Sequence, residues 1–389
     1  MNNGINQKLK ITGIGFDWRD IGRDDYGESK KKLDRDGLNT DTNDFLMVYL
    51  GGGNRREKAG EQPKFIAWHI YFFTRLRIVY DLFLIVFLPL VLIKEKYKPD
   101  VFYATEFPFL LSQIIPAKIL KSKIYFRVLN LPRELALTKG KKGKLFYLYY
   151  KIIEKITVPF VDKFIAINET TKKYLLDLGV KEEKIVMDIP DTIMADAAFI
   201  EKVNKYFIRE KYNIKDKKII LSVGSLIKEK GYKELLMAFA GLNRNDMMLV
   251  VCGEGKEKSD LLRLSGELGI SDKVIFAGHV RREEIWNYFF SADVFALFTK
   301  SESLGMVFWE AMHAGLPVIG AAVGGVEETI GGDGERGFYW TGDLKDFEEK
   351  INLCLNNEET KEAMIRRAKE YVEKKLLIKT DINKIYNQS

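Results

Sequence analysis

Cysteine and histidine are scarce in this chain of 389 residues. The two cysteines, Cys252 and Cys354, cannot build a disulfide framework, so the composition fits a reducing compartment. The three histidines, His69, His279 and His313, lie far apart along the chain. Neither histidine base catalysis nor a metal site made of histidine and cysteine is therefore expected.

Neither a secretory leader nor a membrane-spanning apolar run is expected from this sequence. Residues 1–13 lack a charged stretch followed by an apolar one, so no secretory signal is expected. The most apolar segment, 78–93, is shorter than the ~20 residues that span a bilayer. A hydrophobic content of 46% with 30% charged residues fits packed cores, and the length suggests two or three domains.

Strand and helix patterns alternate along both halves of the chain, which predicts an α/β protein with doubly wound sheets. The long apolar segment 64–94 is expected to be a helix or a helix pair. A polar, lysine-rich stretch at 196–218 marks the crossing into a second domain. The strands expected before that crossing are 8–16, 44–50, 99–104, 123–129, 164–167 and 184–189.

The residues with the clearest chemical pattern lie between Thr299 and Gly325. Glu302 and Glu310 stand eight positions apart, with a glycine-led helix start between them. The pattern predicts a strand, a loop, a helix ending at Gly315 and a second strand, which form a βαβ unit. The expected bounds are 293–298, 301–305, 306–314 and 316–319.

This arrangement suits a ligand that carries both phosphates and hydroxyls. The first N–H groups of a helix lack internal partners and carry partial positive charge, so a diphosphate could bind at 304–306. Glu310, one turn further along, could accept two hydrogen bonds from a diol such as ribose. The simpler interpretation is that Glu302 caps the helix and Glu310 is a surface acid.

The stretch resembles the signature of glycosyl transferases group 1, a family of retaining glycosyltransferases that use nucleotide sugars. That signature is a glutamate, seven residues and a second glutamate within a helix. Here it stands as Glu302-Ser303-Leu304-Gly305 and Glu310-Ala311-Met312-His313-Ala314-Gly315-Leu316-Pro317-Val318-Ile319. Gly324-Gly325 is similar to the family's Gly-Gly-Xaa-Pro-Glu, with Glu327 in place of the proline.

The loop after the strand 218–223 resembles the family's Gly-Arg loop that ends in Glu-Lys-Gly. Gly224 lets the backbone approach a phosphate, and Lys230 matches the lysine that stabilises the departing diphosphate. Ser225 stands where the family usually has arginine, so one positive charge is missing, and Lys228 is an alternative source of it.

Two further segments resemble parts of the family's nucleotide pocket. Gly253 lies in a Gly-Xaa-Gly loop that would line the pocket, or in a plain turn from strand to helix. Val280 matches a segment that holds the base by backbone groups, and His279 is interpreted as structural. By this resemblance Glu302 and Lys230 are catalytic, and the donor is bound by Gly224, Ser225, Gly253, Val280, Ser303, Leu304, Gly305, Met306 and Glu310.

The first domain departs more from the family pattern. Gly27 is what remains of a Gly-Gly loop near the diphosphate, and Asn130 lies where the family often has histidine. Both are candidates for the acceptor side. Asp34-Arg35-Asp36 resembles a metal-binding Asp-Xaa-Asp, but it follows no strand and is interpreted as a solvated surface.

The resemblance implies the GT-B fold, in which two Rossmann-like domains face a central cleft. Residues 1–200 would form the acceptor-binding domain and 201–375 the nucleotide-sugar-binding domain. A last helix at 376–389 would return to the first domain.

The implied activity is that of a retaining glycosyltransferase of the hexosyltransferase type. It would need no metal and no cofactor beyond its nucleoside diphosphate sugar. The acceptor would be a glycan or a lipid-linked molecule, as in cell-surface polysaccharide or glycoconjugate synthesis. A nucleotide-sugar epimerase of this fold, a phosphorylase and a degenerate, non-enzymatic nucleotide-sugar-binding protein at a membrane remain open alternatives.

Two segments suggest contact with an anionic membrane. Segment 78–93 is either a helix buried in the first domain or one that docks at the interface. Segment 139–155 has six lysines and one glutamate among aromatic residues, which suits an anionic lipid surface. No RNA-binding signature accompanies it, so nucleic acid is not an expected partner. The expected location is cytoplasmic, peripheral on the inner face of the cell membrane.

Overall fold

The computed structural model describes residues 9–16, 43–50, 55–59, 65–70, 77–129, 131–133, 141–188, 203–376 and 382–387. Contacts within the chain divide it into two units. The first unit consists of Met1–Asp191 and Ile378–Ser389, and the second is Thr192–Leu377.

The first unit is built on a sheet of eight described strands in the order β3-β4-β2-β1-β5-β6-β7-β8. All neighbouring strands are parallel except β3 and β4, which form an antiparallel pair at one edge. The strands are β1 (Lys10–Phe16), β2 (Asp44–Leu50), β3 (Arg55–Ala59), β4 (Phe65–Ile70), β5 (Val101–Ala104), β6 (Lys123–Val128), β7 (Lys163–Ala166) and β8 (Ile185–Met187).

Alternate residues of the central strands face two different cores. Phe102 and Ala104 of β5 belong to one cluster, while Val101 and Tyr103 belong to the other. The larger cluster takes side chains from α1 (Arg77–Lys94), α2 (Phe107–Leu120), α3 (Lys141–Thr157) and α4 (Glu169–Asp177). The smaller one includes Ile385 of the last helix, α13 (Ile382–Asn387), so the chain's end packs in the first unit.

The expectation of helix throughout 64–94 is wrong in its first part. Phe65–Ile70 is the strand β4, and the helix begins at Arg77. A short apolar run gives the same signal for a buried strand and a buried helix. Pairing decides it here, because β4 lies between β2 and β3 in the sheet. β3 was not predicted, since its charged sequence shows no alternation of apolar and polar residues.

The second unit contains a parallel sheet in the order β11-β10-β9-β12-β13-β14. This order reverses direction between β9 and β12, as in doubly wound nucleotide-binding sheets. The strands are β9 (Lys218–Val223), β10 (Met247–Cys252), β11 (Val274–Gly278), β12 (Val294–Leu297), β13 (Val318–Gly320) and β14 (Phe338–Tyr339).

Helices alternate with these strands, as the sequence predicted. Gly315 has a φ of 80° just after the helix that follows β12, which confirms the expected glycine-terminated helix. The helices are α5 (Phe207–Lys211), α6 (Tyr232–Gly241), α7 (Lys258–Glu267), α8 (Arg282–Ser291), α9 (Met306–His313), α10 (Gly325–Ile330), α11 (Leu344–Asn356) and α12 (Glu358–Leu376).

Candidate functional site

Most of the predicted donor residues lie where the strand order of the second unit reverses. β9 and β12 are adjacent and parallel, so their following loops leave the same edge of the sheet side by side. One loop carries Gly224, Ser225 and Lys230, and the other carries Glu302. Ligands of open α/β sheets bind at this position, outside the carboxyl ends of the strands.

Backbone contacts hold the two loops together. The Lys300 N–H donates to the Glu229 carbonyl at 2.7 Å, and the buried Thr299 hydroxyl donates to the same oxygen at 3.1 Å. Gly231 has a φ of 67°, and a Cβ there would lie 1.9 Å from the Phe298 carbonyl oxygen. Glycine at 231 therefore permits the close approach of the loops that brings their charged side chains into contact.

Lys230 and Glu302 form an ion pair in this site. The Lys230 ammonium lies 2.5 Å from Glu302 Oε2, and both side chains are about four-fifths buried, with 22% and 18% exposed. The sequence assigned them to different parts of a donor, the diphosphate and the sugar. Their contact shows that both side chains reach the same place in the site. A ligand bound there would place its phosphate at the Lys230 ammonium and its hydroxyls at the Glu302 carboxylate.

The start of α9 offers backbone N–H groups beside that pair. Gly305 is its N-cap with a φ of 72°, and no side chain caps the helix there. Leu304 and Gly305 are buried, while Ser303 and Met306 are half-buried. A helix start of this kind favours an anionic group, because its first N–H groups have no partner within the helix.

Gly324 and Gly325 support the same loop from behind. The Gly325 N–H donates to the Glu302 carbonyl at 2.9 Å. A Cβ at Gly324 would lie 2.3 Å from that carbonyl, and one at Gly325 would lie 2.3 Å from the Ser303 carbonyl. Packing therefore explains why both positions are glycine, because a side chain there would keep the start of α10 from closing against the loop that carries Glu302.

Glu310 lies within α9 and is 6% exposed. Burial raises its pKa, and the nearby guanidinium of Arg282 opposes that rise. Arg282 Nη1 donates a hydrogen bond to Glu310 Oε1, and the arginine side chain remains 49% exposed. Glu310 is therefore not an ordinary surface acid but a buried carboxylate with a cation at its side.

Sequence reasoning missed Arg282. It begins α8, 28 positions before Glu310, and nothing nearby in the chain marks it as a partner of a carboxylate. The sequence did hold one indication that Arg282 belongs to the site. It lies two residues after Val280, whose segment was assigned to binding the nucleotide base. Val280 itself is half-buried, and His279 is exposed.

Gly253 packs against the first loop of the site. A Cβ at Gly253 would lie 1.9 Å from the Gly224 carbonyl oxygen, and the Gly224 N–H donates to the Cys252 carbonyl at 3.0 Å. The Leu226 N–H donates in turn to the Glu254 carbonyl at 2.9 Å. Gly253 thus has a structural reason to be glycine, and its role in lining a nucleotide pocket stays a prediction.

Other residues singled out from the sequence are not assigned to the site. Gly27, Asn130 and the 34–36 segment fall outside the described residues. Lys228, the alternative source of charge for the position of Ser225, is exposed. His313 packs edge-on against Trp286, with ring centroids 5.7 Å apart, and burial lowers its pKa, in keeping with a structural histidine.

Most of the second unit matches a known protein family. Residues 204–371 match the family model described as glycosyl transferases group 1. The chain is 27% identical over 220 residues to N-acetyl-alpha-D-glucosaminyl L-malate synthase of Bacillus anthracis, which covers 51% of this chain and 57% of that protein. It is 34% identical over 165 residues to alpha-monoglucosyldiacylglycerol synthase of Streptococcus pneumoniae, covering 41% and 37%. The chain therefore spans between about a third and a little over half of these relatives.

Solved structures share the fold over nearly the whole chain. Sucrose-phosphate synthase from Thermosynechococcus elongatus superposes with a TM-score of 0.75 at 18% identity, covering 98% of this chain and 99% of that one. Anabaena HepE in complex with UDP and glucose gives 0.70 at 17% identity, covering 98% of both chains. The predicted α/β fold with two Rossmann-like domains of the GT-B type is confirmed, and the family model that matches residues 204–371 is that of the predicted family.

Proposed function

Because residues 204–371 form a domain of the glycosyl transferases group 1 family, we propose that the protein is a retaining glycosyltransferase. It would transfer a sugar from a nucleoside diphosphate sugar to a glycan or lipid-linked acceptor. The observation that carries the proposal is the Lys230–Glu302 pair at the start of α9, with the buried Glu310 in the same helix.

The donor would lie along the start of α9. Its diphosphate would take the backbone N–H groups of 303–306 and the ammonium of Lys230. Its ribose would donate hydrogen bonds to Glu310, whose carboxylate Arg282 holds in place. Its sugar would contact Glu302, which already lies at the Lys230 ammonium. Gly224, Ser225, Gly253 and Val280 would complete the pocket.

The chemistry needs charge stabilisation rather than a protein nucleophile. The bond from the sugar's anomeric carbon to the diphosphate breaks as the acceptor oxygen bonds to the same face of that carbon. The acceptor's proton passes to a phosphate oxygen of the departing nucleoside diphosphate. Lys230 and the start of α9 would stabilise the charge that develops on that group, so the proposed reaction requires no metal and no other cofactor.

The acceptor class is supported by one relative's name. Alpha-monoglucosyldiacylglycerol synthase of Streptococcus pneumoniae is named for a glycosylated lipid. A lipid-linked acceptor would place the enzyme on the inner face of the cell membrane as a peripheral protein. Synthesis of cell-surface polysaccharide or glycoconjugates is the proposed setting.

A panel of nucleoside diphosphate sugars, with glycan and lipid-linked acceptors, tests the proposal. We expect one donor to release its nucleoside diphosphate in step with acceptor consumption, and the product to keep the donor's anomeric configuration. An isomerised nucleotide sugar without release would indicate an epimerase, and release that depends on free phosphate a phosphorylase. Absence of any thermal shift with every donor would favour a non-enzymatic protein.

Replacing Arg282 by alanine is expected to weaken donor binding roughly tenfold at neutral pH, about the effect of one charge-assisted hydrogen bond. Removing the guanidinium also takes away the influence that lowers the pKa of Glu310, so that pKa rises further. Because protonation removes the charge that accepts hydrogen bonds from ribose, the variant should lose affinity at a higher pH than wild type. Calorimetric donor titrations from acid to neutral pH measure both effects.

Arg282→Lys and Arg281→Ala are the matched controls. The first keeps a cation beside Glu310, and the second removes an exposed neighbour at the N-cap of α8. Both should keep a pH profile close to wild type. An unchanged profile in Arg282→Ala would show that the arginine does not act through Glu310.

A further inference from the structure

Three helices of the first unit lie side by side on one face of its sheet. Leu84, Leu88 and Val91 of α1 are buried in the same core cluster as Leu110 of α2 and Ile153 of α3. Because all three helices bury one side in that cluster, their opposite sides point away from the sheet together. The helix that contains segment 78–93 thus has, within residues 83–93, one buried side and one exposed side.

The outward sides of α1 and α2 carry large apolar residues. Val86, Leu90 and Ile93 recur at a spacing of three to four residues along α1, and Ile93 is 73% exposed. Ile115 and Ile119 stand one turn apart on α2, and Ile119 is 74% exposed. Water-exposed apolar residues at this density are more typical of an interaction surface than of scattered side chains.

The third helix continues the same pattern. Leu145, Leu148, Ile152 and Ile156 form a stripe along α3, with Leu145 73% exposed. This helix was predicted from the sequence as basic and aromatic, but its outward stripe is aliphatic. We call the outward sides of α1, α2 and α3, together with Phe160 just after α3, the helix face.

Lysines surround these apolar residues. Lys144, Lys151 and Lys155 of α3 are exposed, and Lys118 of α2 lies over the Phe160 ring, 4.2 Å from its centroid. Residues 83–94 and 107–120 contain no acid. Glu154, the one acid of 144–157, is 1% exposed and paired with Arg133. The described part of the helix face therefore carries cations without exposed acids from its own helices.

We propose that the helix face docks onto an anionic lipid bilayer, with its aliphatic side chains in the interface and its lysines against the headgroups. Interfacial helices bind in this way, through buried apolar area together with attraction to anionic lipid. None of the helices in the described segments combines the length and apolar content needed to cross a membrane. The docking itself does not depend on the proposed function. Only its purpose rests on that function, and this purpose is to bring the enzyme to a lipid-linked acceptor.

Charge favours lipid over a second copy of the chain. A twofold contact between copies places a surface against itself. The helix face would then bring lysines near lysines, without exposed acids among residues 83–94, 107–120 and 144–157 to balance them. Anionic headgroups complement the same lysines, so the bilayer is the occupant that matches both the apolar and the charged parts of the face.

Vesicle co-sedimentation without donor or acceptor tests the docking. The full chain should bind vesicles that contain phosphatidylglycerol and bind phosphatidylcholine vesicles much less. Lys151→Glu/Lys155→Glu should reduce binding at least tenfold, because each lysine near an anionic surface contributes roughly a factor of five. Leu148→Ser/Ile152→Ser should also reduce it, by removing apolar area from the interface.

The matched controls are taken from the second unit. Lys345→Glu/Lys374→Glu changes charge equally at exposed lysines, and Met237→Ser/Leu262→Ser removes exposed apolar side chains that are 52% and 46% exposed. Both should bind vesicles as wild type does. Circular dichroism and the thermal shift with nucleoside diphosphate check that every variant folds, and raising the salt concentration should weaken wild-type binding.

Failure of wild type to sediment with anionic vesicles would overturn the proposal. So would equal loss in the control variants, or a concentration-dependent dimer that the helix-face variants disrupt while vesicle binding persists. Vesicle binding without sugar transfer would leave the docking intact and count against the proposed function. Sugar transfer to a water-soluble acceptor without vesicle binding would support the proposed function and overturn the docking.

Discussion

Replacing Lys230 by alanine is expected to lower kcat by about 10²–10³-fold, the loss typical of removing one preorganised stabilising group. Lys230 is held in place by its ion pair with Glu302 and by the loop contacts at Glu229. In the proposed reaction, negative charge grows on the diphosphate as the sugar departs, so the ammonium acts more strongly in the transition state than on the bound donor. Steady-state kinetics should therefore show a larger fall in kcat than rise in KM.

Two lysine controls make the result specific. Lys228→Ala and Lys233→Ala each remove an exposed lysine near Lys230 in the chain. Lys233→Ala should be close to wild type, and a large loss in Lys228→Ala would show that Lys228 supplies the charge missing at Ser225. A kcat of Lys230→Ala within about threefold of wild type would rule out the proposed role of Lys230.

A double variant separates a direct role of Lys230 from an indirect one. Removing Lys230 also leaves the Glu302 carboxylate without its ammonium partner, which could itself harm the site. Lys230→Ala/Glu302→Gln removes that uncompensated charge. If the lysine acts directly on the diphosphate, the double variant should be much slower than Glu302→Gln alone; equal rates of these two variants would show that the loss in Lys230→Ala came through Glu302.

Replacing Arg127 by alanine is expected to destabilise the first unit by about 3–5 kcal/mol, because it leaves a buried acid without its cation. Arg127 is fully buried on β6, and its Nη1 lies 2.7 Å from Oδ2 of Asp188, which is itself 7% exposed on its side chain. Asp188 follows β8, and β7 lies between the two strands, so the pair ties three strands together. Urea unfolding followed by circular dichroism measures the loss.

The exposed pair of Arg244 and Asp246 provides the control. Their side chains are 26% and 55% exposed, so Arg244→Ala should cost about 1 kcal/mol or less. Arg127→Met/Asp188→Leu removes both buried charges and should be far more stable than Arg127→Ala. A loss in Arg127→Ala no larger than that in Arg244→Ala would contradict the buried ion pair.

Prediction from the sequence was most accurate for glycine-marked turns in the second unit. The βαβ unit from 293 to 319, the helix end at Gly315 and the strand at 218–223 follow from local patterns, and the structure confirms them. It failed at β4, where a short apolar run does not reveal whether a neighbouring strand will pair with it.

The sequence by itself determined the fold class, the family whose model matches residues 204–371 and the identity of most candidate donor residues, because these depend on short motifs and on local periodicity. Only the tertiary structure decided which charges meet. Lys230 and Glu302 lie 72 positions apart, and Arg282 and Glu310 lie 28 apart. The spacing of residues along the chain does not reveal such pairs. They form because the order of the strands brings their loops to one edge of the sheet.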